Sequence, residues 1–161
     1  MASMTYGELR TTRDVDVVVQ LRGVDVPKLL SRFPLSDYYH DERAALEAVR
    51  TGSEFNIIDN RSGLKIDVFI ANDDISDRQI ANARRLPLPS GGTAMFSAPE
   101  ELILMKMKYY SFAWTEKHLR DITGMLDHSS AEIDEARVAS LAAEHGLSHV
   151  WESVQVPRAR G

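Results

Sequence analysis

The sequence predicts an α+β fold: a mixed β-sheet with flanking helices over residues 1–96, and an all-helical part over residues 97–161 packed on it. Three observations predict it. A valine-rich run, DVDVVV, opens at Asp14, and two further β-rich runs, FNIID and LKIDVFIA, are joined by the turn NRSG. From Ser97 onward, by contrast, the chain offers only segments with helical start and stop signals.

Taken in order, Val15 to Val19 is β-branched except at Asp16, which predicts a strand buried on both faces. Asp25 ahead of Val26-Pro27 starts a short helix through Leu30. Asp41 caps a second helix, ERAALEAVR, and Gly52 ends it. The two runs around Asn60 to Gly63 then form an antiparallel hairpin. In its second arm Leu64, Ile66, Val68 and Ile70 share one face, and Lys65, Asp67 and Phe69 the other. DRQIANARR reads as a surface helix, LPLPSGG as a connection with a turn at Gly91-Gly92, and TAMF as a short strand.

Ser97-Ala98-Pro99-Glu100 has the spacing of a capping box with proline in the first turn. Helices follow over Glu100 to Ser111 and Thr115 to Leu126, then over Ile133 to His145, stopped by Gly146, and over Leu147 to Val154. Leu102, Met105 and Tyr109 recur at helical spacing, with Ile103 and Met107 beside them, and are expected in the core, with Trp114 and Trp151 as packing anchors.

The 161 residues suffice for one domain with a sizeable core, and 43% hydrophobic with 27% charged residues is an ordinary globular composition. The absence of cysteine excludes disulfides and thiolate metal sites, and fits a cytoplasmic location. No apolar run approaches the ~18 residues of a membrane span, so no membrane partner is expected. A formal charge of -5 argues against a protein that coats nucleic acid nonspecifically.

The chemistry concentrates in three aspartates. Asp14 and Asp16 are two apart on a predicted strand, so they project from one face and repel each other when ionised. A hard divalent cation resolves that repulsion, because Mg²⁺ takes one or two carboxylates together with substrate phosphates. Asp67 is a third acid set inside an apolar strand. Three carboxylates on neighbouring strands would suit the paired ions of in-line phosphoryl transfer. Solvated or salt-bridged aspartates at a strand edge, with Arg13 as partner, are the plainer reading of the same residues.

RTTRDVDVVV, followed by GLKIDVFI, APEELILMKMKYY and HLRDITGML, resembles the polymerase-beta-like nucleotidyltransferases, in the minimal bacterial branch that includes AbiEii-type proteins of toxin–antitoxin and phage-defence systems. The resemblance spans about Tyr6 to Leu126 and implies a nucleotidyltransferase-like sheet. It implies that Asp14, Asp16 and Asp67 are the catalytic and metal-binding acids for Mg²⁺ or Mn²⁺, and that Lys106 and Asp121 belong to the nucleotide site. Arg10 and Arg13 flank the metal strand and would meet phosphates.

The family also carries a Gly-Ser or Gly-Gly pair ahead of the first aspartate, where a helix N-terminus cradles a triphosphate. The chain begins MASMTYGE, so either Ser3 stands in for that pair or, as we expect, the pair lies upstream of Met1. The activity implied is transfer of an NMP from an NTP to a hydroxyl on protein or tRNA, with a cognate toxin or antitoxin as a further partner. The alternative is a catalytically impaired interaction protein that keeps the fold. A metal-dependent nuclease would leave Lys106 and Asp121 unexplained.

Overall fold

The computed structural model describes residues 14–129 and 131–158. Ser3, Arg10 and Arg13, all expected at the nucleotide site, lie outside the described residues. The chain divides into two compact units, with the boundary between Ile80 and Ala81.

The first unit is a four-stranded sheet with helices on one face. Strand β1 (Asp14–Val19) leads through a 3₁₀ turn (Gly23–Asp25) into the short helix α1 (Val26–Leu30). Then come β2 (Tyr38–Tyr39), α2 (Glu42–Thr51), β3 (Glu54–Asp59) and β4 (Lys65–Ile70). The sheet order is β1-β4-β3-β2; β1 runs parallel to β4, and the other pairings are antiparallel.

The local reasons match the sequence signals. The Asp41 carboxylate accepts from the Ala44 amide at 3.1 Å, satisfying one of the free N–H groups at the start of α2. Gly52 ends that helix at φ 68°, a left-handed conformation that glycine adopts without steric cost. Asp59 closes the β3–β4 turn by accepting from the amides of Arg61 and Ser62. Alternation along the strands then sends Phe55, Ile57, Val68 and Ile70 to one face, where they pack with Val26, Leu30, Ala45 and Ala48 of the helices. Helix α3 (Asp74–Ala81) follows, its start fixed by Ser76 and Asp73, which bond each other through amide and hydroxyl.

The second unit opens with a hairpin, β5 (Arg84–Pro87) and β6 (Thr93–Phe96), and continues as α4 (Pro99–Ala113), α5 (Glu116–His128), α6 (Glu135–Glu144) and α7 (Ser148–Arg158). Helix α4 packs against α5, α6 and α7. Its fully buried Ile103, Leu104 and Met107 join Ile122, Met125, Leu126, Val138, Val150 and Val154 in the buried interior. None of the described helices is long and apolar enough to cross a membrane.

Five expectations need correction. Among the described residues strand β1 stands at the edge of its sheet and is only partly buried, rather than buried on both faces; β-branched residues specify a strand but not its place in a sheet. The LPLPSGG connection begins inside a strand, because Leu86 and Pro87 belong to β5, which pairs with β6 around the Gly91-Gly92 turn. The surface helix ahead of it starts earlier, at Asp74, and buries Ile75, Ser76 and Gln79.

The capping box does not form: Ala98 is the N-cap of α4, and no side chain caps the helix. The Glu100 carboxylate instead accepts from the Asp134 amide and from Arg84, while the fully buried Glu101 accepts from Asn82 and Arg137. Two buried glutamates in one first turn, where the helix dipole favours negative charge, thus tie together the hairpin, α4 and the start of α6. Finally, Tyr109 and Trp114 do not join the core; they are 38% and 68% exposed.

Candidate functional site

The β-sheet face opposite the apolar core carries the acids. In the parallel pairing of β1 with β4, Asp14 is the register partner of Lys65 and Asp16 that of Asp67. Register partners on adjacent strands project from the same side, so all four side chains share one face. The antiparallel pairing with β3 extends the row, since Asn56 is the partner of Asp67. Asp16, Asp67 and Asn56 therefore stand side by side across three strands. Glu54 lies on the same face, as partner of Phe69.

The acids are not equivalent. Asp14 and Asp16 are exposed at the sheet edge, whereas the Asp67 side chain is only 12% exposed. Lys65 meets that buried charge: its Nζ lies 2.9 Å from Asp67 Oδ2. Its pKa is raised above the ordinary lysine value, first by the hydrogen bond to Asp67, with Asp14 and Glu54 adding to the effect by their charge. Among the described residues no three His, Cys, Asp or Glu side chains converge closely enough to hold a metal ion. The donor atoms themselves are nevertheless of the hard oxygen type that such an ion takes. The row offers hard carboxylate oxygens, the choice of Mg²⁺ and Mn²⁺, and a cationic group already sits on the most buried of them.

Lys106 and Asp121 meet in the second unit. Lys106 Nζ donates to Asp121 Oδ2 at 2.8 Å, and the two side chains are 14% and 22% exposed. This pair joins α4 to α5. Beside it the His118 ring stacks on Tyr109, with centroids 5.9 Å apart and the planes 23° from parallel. The His118 Nδ1 is buried and has no hydrogen-bond partner among the described residues. Burial lowers the His118 pKa first, the Lys106 and Lys117 charges lower it further, and Asp121 opposes them.

Of the expected site residues, Asp14, Asp16 and Asp67 thus lie on one face of the first unit, and Lys106 and Asp121 on each other in the second. Sequence reasoning assigned no role to Lys65 or Asn56. Lys65 was visible as a face-mate of Asp67, but its pairing with Asp14 depends on the parallel register, which periodicity does not encode. Asn56 had a weaker signal, as the polar residue between the inward Phe55 and Ile57. No family model matches this chain, and no curated protein matches it either.

Proposed function

We propose that this chain is a nucleotidyltransferase that moves an NMP from an NTP onto a hydroxyl of a protein or an RNA. The observation that carries the reading is the register of β1 on β4, which sets Asp16 beside Asp67 on the face that also bears Asp14. Carboxylates held side by side repel when ionised, and a divalent cation shared between neighbours relieves that repulsion.

Asp14, Asp16 and Asp67 would hold Mg²⁺ or Mn²⁺, which when bound supplies Lewis-acid stabilisation of the charge on the transferred phosphoryl group. The protein's part is positioning. Asp67, the least exposed of the three, accepts the proton of the attacking hydroxyl as its oxygen bonds to the α-phosphorus. The bond from that phosphorus to pyrophosphate breaks, and pyrophosphate leaves with the bonding pair. Asn56, next in the row, offers an amide to orient the incoming group. A phosphate contact for Lys106 would require its ammonium to leave Asp121.

Label transfer from α-phosphate-labelled NTPs tests the reading, run over all four bases with and without Mg²⁺ and with a cell extract as acceptor source. Labelled protein or RNA that appears only with the cation supports the enzyme. No transfer from a folded chain with its acids intact would favour a binding partner in a toxin–antitoxin pair.

A further inference from the structure

Lys65 stands out because it is the one cation among the described residues of an acidic row, and the proposed reaction does not use it. Its ammonium is 2.9 Å from Asp67 Oδ2, on a carboxylate proposed to take a metal. It is also the register partner of Asp14, so it stands within the acidic row. The two partners differ in freedom. The Lys65 side chain is 37% exposed and sits on a flexible four-carbon stem, so its head can swing into water without unfolding the strand. Asp67 is held in the sheet and has no such exit.

We propose that Lys65 is an internal counter-ion that competes with a divalent cation for Asp67, so that cation binding requires the ammonium to move off the carboxylate. The inference rests on the metal-binding reading of Asp14, Asp16 and Asp67. An ammonium and a hard metal ion seek the same carboxylate oxygen, and two cations on one oxygen repel. The device offsets part of the row's negative charge and sets a threshold on cation affinity. Because the displaced amine stays tethered beside Asp14, it is placed to meet the phosphate that arrives with the metal.

A purely structural ion pair would behave differently, because its loss would lower stability and leave cation affinity where it was. Mn²⁺ binding to the full chain, followed by calorimetry and by the resonance signal of free Mn²⁺, separates the two. Lys65→Met should bind Mn²⁺ about tenfold or more tighter than the unsubstituted protein, since a charge-assisted competitor is removed. Lys65→Arg, which keeps the charge, should stay close to the unsubstituted value, and Asp67→Asn should bind more weakly. Equal affinities for Lys65→Met and the unsubstituted chain, with Asp67→Asn still weakened, would overturn the counter-ion and leave the metal reading standing. No Mn²⁺ binding by any form would overturn both.

A measurement on the unsubstituted protein avoids any folding defect of the variants. Lysine acetylation mapped by mass spectrometry should label Lys65 several-fold faster at saturating Mg²⁺, with the other lysines as internal controls. Unchanged or slower labelling of Lys65 would contradict the proposal.

Discussion

Lys106 and His118 show how much a neighbour changes the meaning of a side chain. By itself Lys106 is a lysine on an apolar helix, expected to reach outward to water. Paired with Asp121 at 2.8 Å and mostly buried, it becomes the compensating charge for a partly buried carboxylate. Lys106→Ala should therefore destabilise the fold by about 2 kcal/mol, below the range for fully buried pairs because some solvent reaches both groups. Chemical denaturation measures it, and a double-mutant cycle with Asp121→Asn should show coupling between the two sites. An unchanged midpoint with weakened nucleotide binding would instead assign Lys106 to the ligand.

His118 gives a pH signature. Burial, helped by the Lys106 and Lys117 charges, depresses its folded pKa below the ordinary 6.5, so the unfolded chain takes up a proton first as pH falls. Its contribution to stability is complete above about pH 6.5 and is lost as pH drops from there towards the folded pKa. His118→Phe keeps a ring against Tyr109 and removes the buried Nδ1. The loss of melting temperature between pH 7 and 5 should be smaller in this variant than in the unsubstituted protein.

Among the elements, the junction of α2 with β3 has no room for a side chain at Gly52 unless Asn72 shifts. Gly52 sits at φ 68°, and a Cβ there would lie 2.6 Å from the Asn72 Cβ, whose own amide donates to the Gly52 carbonyl at 2.7 Å. Gly52→Ala should cost about 2 kcal/mol, combining left-handed strain with the displacement of Asn72. Gly63 has the same backbone conformation, φ 69°, but open space around it. Gly63→Ala should cost only the strain, about 1 kcal/mol. Thermal melts of the two variants side by side separate strain from contact, and equal losses would show that Asn72 yields freely.

The capping box illustrates the opposite case, where a sound local signal is overridden. Ser97 and Glu100 have the right spacing, yet the glutamate is taken by Arg84 and the Asp134 amide, partners from two other elements.

At the scale of the whole molecule, what the sequence revealed follows the range of the interactions. The β3–β4 hairpin, the Asp41 and Gly52 ends of α2 and the helical last third all rest on neighbours close in the chain, and all were readable. Which strands pair across the sheet was not. The parallel contact of β1 with β4 joins residues about fifty positions apart, and that contact alone brings Asp16 to Asp67 and Asp14 to Lys65. The three acids could be named from their apolar settings; the lysine among them needed the register. Tyr109 was misplaced because helical spacing predicts a face but not which part of it stays uncovered, and Trp114 because size alone does not bury an aromatic ring.

The proposed function stands on the shared face of β1 and β4 acting as a metal-dependent site for nucleotidyl transfer. The most direct measurement is Mg²⁺-dependent transfer of α-phosphate label by the unsubstituted chain, by Asp16→Asn and by Asp67→Asn, with circular dichroism confirming equal folding. Transfer is expected from the unsubstituted protein, with a loss of about a hundredfold or more in each variant, the scale seen when a group that stabilises the transition state is removed. Transfer that survives both substitutions undiminished would contradict the proposed function.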